Sequence, residues 1–133
     1  MTRIVHLLLA SALLAGCSTA PAAGRTDADT IADGSEFTLG IGENARLADG
    51  SRVTYLRLDN DSRCRPDVRC VWAGDAQIAL RWQPTSGRAQ ELTLYTPSPR
   101  GGGTARIGER NVFLVSLERG IAPKATLKVE RAP

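Results

Sequence analysis

Residues 59–74 read Asp-Asn-Asp-Ser-Arg-Cys-Arg-Pro-Asp-Val-Arg-Cys-Val-Trp-Ala-Gly, the densest run in the chain of side chains able to do chemistry. Cys64 and Cys70 could form a disulfide, a redox couple or part of a thiolate metal site. The familiar redox motif is Cys-x-x-Cys, a closer spacing than this pair has. A soft-metal site needs more ligands than two sulfurs. Asp61 with Asp67 or Asp75 could make the carboxylate pair that glycoside hydrolases use. Asp59, Asn60, Asp61 and Asp67 offer oxygen ligands, but calcium takes about six to eight, and the neighbouring arginines oppose a cation. Ser62 needs a base, and the chain's single histidine, His6, lies far away near the N-terminus. Lys124 and Lys128 are the alternative bases, in or beside the last apolar segment. Arg63, Arg65 and Arg69 offer planar donor forks to an anionic partner, and Trp72 adds a large amphipathic ring.

The N-terminus says where this chemistry would take place. Arg3 precedes an apolar run over 4–15, which closes on Leu14-Ala15-Gly16-Cys17. The run is shorter than the roughly 20 residues of a spanning helix. It has the charged, apolar and small-residue regions of an export signal. The Leu-Ala-Gly-Cys sequence resembles the bacterial lipobox. That resemblance implies cleavage after residue 16, a diacylglycerol on Cys17 and acylation of the new amino terminus. Ser18 stands where an Asp would signal retention in the inner membrane, so an outer-membrane lipoprotein facing the periplasm is expected. Its first partner is then the bilayer, held through several acyl chains where one alone is marginal.

Cleavage removes His6 and leaves a chain without histidine. This excludes Ser-His-Asp and Cys-His catalysis and histidine-based zinc sites. In an oxidising compartment the isolated Cys64/Cys70 pair is most simply a disulfide. Closing a seven-residue ring stabilises by roughly 2.4 kcal/mol on loop entropy alone. No catalytic residue, metal site or cofactor is assigned, and the expectation is a non-enzymatic domain. Residues 17–133 carry 16 Lys and Arg against 14 Asp and Glu, with signs mixed along the chain. That balance gives no footing for a nucleic-acid partner.

Three segments are expected: a signal peptide over 1–16, a lipidated and flexible tether over 17–35, and one β domain over 36–133. The tether is rich in Ala, Thr, Asp, Gly and Pro, and such composition does not repay the entropy of ordering. The domain shows about seven short strands and no helix. Extended segments are read at 37–39, 45–47, 52–58, 77–82, 91–96, 111–117 and 125–130. Ile78, Leu80 and Trp82 alternate with Gln77, Ala79 and Arg81, the period of a half-buried strand. Leu92 and Leu94 read as a core pair. Residues 111–117 are apolar on both faces, which predicts a central or doubly covered strand. The spacing of strands and Gly/Pro turns predicts a small antiparallel β-sandwich, with a small, partly open β-barrel as the alternative. Arg106 and Arg110, flanking Glu109, read as a solvated edge.

The Asp-Ser-Arg-Cys stretch, the nearby Pro66, the second Cys and the following Trp-Ala-Gly resemble a group of poorly characterised bacterial exported lipoproteins. The segment 37–47, with Gly42-Glu43, resembles the start of those proteins. In that pattern Pro follows the first Cys directly, whereas here Arg65 intervenes. The resemblance implies an exported lipoprotein and brings no catalytic assignment.

Two readings of the loop then compete. In the first it is a staple: the disulfide pins its ends, Trp72 lies over the core, and Asp61 pairs with Arg63 or accepts from loop amides. The domain then has a structural or envelope-associated role. In the second, residues 59–75 form a binding or inhibitory knob that presents Arg63, Arg65, Arg69, Asp61 and Trp72 to an envelope protein or to peptidoglycan.

Overall fold

The computed structural model describes residues 30–98 and 101–133. These residues form nine strands and no helix: β1 (Thr30–Ile31), β2 (Glu36–Leu39), β3 (Asn44–Leu47), β4 (Arg52–Asp61), β5 (Ala76–Gln83), β6 (Gln90–Tyr95), β7 (Thr104–Ile107), β8 (Arg110–Leu117) and β9 (Ala125–Arg131). They make two sheets, ordered β1-β3-β4-β5-β6 and β2-β9-β8-β7. The signal segment, Cys17 and most of the expected tether lie outside the described residues.

Alternation of apolar and polar side chains places one face of each sheet in a shared core. Val53 and Tyr55 from β4, Ile78 and Leu80 from β5, and Leu94 from β6 meet Phe37 and Leu39 from β2, Val112 and Leu114 from β8, and Leu127 and Val129 from β9. Trp82 and Leu92 pack at its margin. Ala79 is fully buried although it points away from that core. It sits between Arg57 and Thr93 on the flanking strands.

Four differences from the sequence reading have physical causes. The fold begins before residue 36. Ile31, the one large apolar residue of the tether, packs against the core, and β1 runs parallel to β3. Strand β4 does not stop at Asp59 but continues to Asp61, through register shifts between Tyr55 and Arg57 and between Leu58 and Asn60. Each shift adds an unpaired residue and rotates the side chains that follow, which is why the faces of 52–58 look mixed in sequence. Strand β8 is central in its sheet but not doubly covered, because Val115 and Ser116 are exposed. A register shift between Leu114 and Ser116 lets Leu114 and Leu117 both face inward despite odd spacing. Finally, the short strand β7, not among the expected extended segments, pairs with β8 through a tight hairpin.

Arg110 is not part of a solvated edge. Its side chain is only 9% exposed. Its guanidinium donates to Asp33 at 2.6 Å and to Asp49 at 2.8 Å. Asp33 lies between β1 and β2, and Asp49 in the β3–β4 turn. One residue of the second sheet thus clasps two turns at the end where the chain enters the fold. Asp33's carboxyl is held below its ordinary pKa by the Arg110 hydrogen bond. Burial alone would raise that of Asp49. The hydroxyl and amide of Ser51, with Arg110, outweigh burial and lower it.

Candidate functional site

Residues 62–75 extend the β4–β5 hairpin. The pairing continues past the strands, with the Ser62 amide donating to the Asp75 carbonyl at 2.8 Å and the Cys64 amide to that of Ala73 at 3.0 Å. Ser62 also bridges the base through its hydroxyl, which donates to the Asp75 carbonyl at 2.9 Å. Above this ladder the Cys64–Cys70 disulfide closes the loop, with Cα atoms 5.9 Å apart. Within the ring the Val68 amide donates to the Arg65 carbonyl at 3.1 Å. Pro66 is then the second residue of a four-residue turn, the place where its fixed φ suits the geometry.

Gly74 is required where the loop returns. Its φ is +65°, and a Cβ there would lie 1.9 Å from the Ser62 carbonyl oxygen. No side chain fits between the two backbones.

Arg63 locks the base of the loop to the other sheet. Its side chain is 13% exposed. Nε and Nη2 donate to the two Asp61 carboxylate oxygens at 2.8 and 2.6 Å. Nη1 reaches the Leu117 carbonyl and Nη2 the Glu118 carbonyl, each at 2.7 Å. The planar fork thus spends its donors inside the molecule. The Arg63 hydrogen bond pulls the Asp61 carboxyl below its ordinary pKa. Burial raises the pKa of the Tyr55 hydroxyl, against the opposing charge of nearby Arg63. A second link runs the other way, from Arg119 Nη2 to the Cys64 carbonyl at 2.8 Å.

The tip of the loop is different. Val71 is 91% exposed and Trp72 74% exposed, and Val68 is about half exposed. Trp72 does not lie over the core, so that part of the staple reading is corrected. The ring follows Cys70 outward because the disulfide and Gly74 confine the backbone on either side. Arg65 pairs with Asp67 at 2.7 Å in the open, and that contact lowers the Asp67 pKa. Arg69 is exposed and has no ion-pair partner among the described residues.

The residues singled out in sequence therefore divide. Asp61, Arg63, Cys64 and Cys70 build the platform. Arg65, Arg69 and Trp72 stand on it. Asp61 and Asp67 are each engaged by a different arginine. No group of three or more His, Cys, Asp or Glu side chains converges as a metal site among the described residues. Sequence reasoning passed over Val71 and Arg119. An apolar Val between Cys and Trp looks like core, and only the geometry shows it facing outward. A scan against protein-family models and searches of curated proteins and of solved structures each returned no match.

Proposed function

We propose that this chain is a non-enzymatic binding module of the bacterial envelope, which recognises a protein or envelope glycan through residues 59–75. The observation that carries the reading is the pairing of exposure with restraint. Val71 and Trp72 stand in solvent on a loop fixed by a disulfide and by the Arg63 clasp. A soluble monomer gains nothing from holding a tryptophan in water, and such residues are the typical energetic centres of interfaces. A loop already rigid loses little conformational entropy on binding. The arginine-bound carboxylates and the engaged Ser62 hydroxyl favour binding over catalysis. In this reading the two sheets form a small β-sandwich. The lipobox-like sequence at Cys17 anchors it to the outer membrane, facing the periplasm.

Oxidative footprinting of the two tryptophans tests the proposal. In the free protein Trp72 should react and the half-buried Trp82 should resist. Adding envelope extract should protect Trp72 and leave Trp82 unchanged. A Trp72 that stays equally reactive in every envelope fraction contradicts recognition through this loop.

A further inference from the structure

The disulfide loop is not alone at its end of the molecule. The β8–β9 connection, residues 118–124, is a second hairpin tip, closed by the Glu118 amide on the Lys124 carbonyl. It carries Ile121, which is fully exposed. The two tips come from different sheets and are bound to each other by Arg63 and Arg119. Three hydrogen bonds therefore tie the base of one exposed apolar tip to the base of the other.

We infer that the two tips form one composite docking surface for a folded protein with an acid-rimmed apolar cleft. The inference rests on the loop-recognition reading and extends it to a second element and a partner class. Charge supports it: the two strand connections, residues 62–75 and 118–124, together hold five Arg or Lys against three Asp or Glu. Arg63 is consumed internally, while Arg69 is exposed on the same loop as Val71 and Trp72. Exposure supports it as well, because Val71, Trp72 and Ile121 put three solvent-facing apolar side chains on the two tips, which a cleft would cover. A glycan platform would instead present aromatic faces with polar groups around them, and Trp72 is the one exposed aromatic on these two tips.

The tips also lie at the opposite end of the fold from its first strand. Thr30 pairs with Arg46, and Arg46 with Arg52, at the start of β4. The docking loop follows the other end of that ten-residue strand, roughly 30 Å away at the usual rise per residue. The chain thus enters at one end, and the tips face away from it.

Site-specific photo-crosslinking in the full chain tests this. A photoreactive benzoylphenylalanine is placed in turn at positions 71 and 121. A control goes at position 86, in the β5–β6 turn at the far end. Positions 71 and 121 should give adducts with the same protein, and position 86 should not. Arg69→Glu should cut both adducts at least tenfold with the melting temperature unchanged. An adduct from 71 alone would overturn the composite surface and leave single-loop recognition standing. Adducts with lipid or peptidoglycan only would overturn the protein partner. No adduct at either tip would overturn both readings.

Discussion

Single arginines carry much of the organisation, and they are not equivalent. Arg110 is buried and Arg63 partly so, each with several charge-assisted hydrogen bonds. Arg65 sits in an exposed pair, which is worth little because solvent screens it. Arg63→Ala should therefore destabilise the domain by about 2–4 kcal/mol, since it leaves Asp61 and two carbonyls without their donor. Arg65→Ala should change stability by less than about 0.5 kcal/mol. Urea unfolding of the two variants checks the contrast. The sequence shows that three arginines crowd the cysteines, but not which one turns inward. Arg63's carbonyl partners lie 54 and 55 residues away, and Arg110's carboxylates 77 and 61 away. Only the folded topology brings such partners together. Local pairs such as Arg63 with Asp61 were within reach of sequence reasoning. The same ion pairs set the response to acid. Asp33, Asp49 and Asp61 all have pKa values lowered in the fold. Their contribution is fully present above the unfolded carboxylate value of about 4 and is lost as pH falls through the lower folded values. Stability should be flat from about pH 8 to 5 and fall below about pH 4, and Arg110→Met should weaken that fall. Melting temperatures across this range test it.

At the scale of elements, the loop depends on two backbone devices. The disulfide constrains the unfolded chain, and Gly74 allows two strands of the hairpin base to touch. Changing Cys64 and Cys70 together to Ser should cost roughly 2.4 kcal/mol, read by denaturant unfolding under oxidising conditions. Gly74→Ala should be more damaging, because a Cβ meets the Ser62 carbonyl at a backbone angle that disfavours L side chains. Loss of loop amide protection in hydrogen exchange should accompany it. Strands with clean alternation, β5 and β9, were legible from their residues. β4 and β8 were not fully so, because bulges change the phase of alternation without leaving a mark in composition. β1 was hidden by its brevity: two residues carry no period, and Ile31 gains its place only from the core it meets.

At the scale of the whole molecule, the described residues form two sheets packed over one core, with an arginine clasp at each end. Arg110 gathers the turns where the chain enters, and Arg63 with Arg119 joins the hairpin tips at the far end. The proposed recognition surface thus lies at the end of the fold opposite its first strand. The all-β class and the disulfide loop were both readable in sequence. The orientation of Trp72 was not, because a large ring beside a disulfide serves equally well as core cover or as contact residue. The most direct test compares wild type with Trp72→Ser for retention of an envelope component on the immobilised domain, alongside the melting temperature of each. Retention should fall at least tenfold in the variant, with melting temperatures that agree closely. Equal retention, or a large drop in stability in the variant, would return Trp72 to a structural role and overturn recognition through this loop.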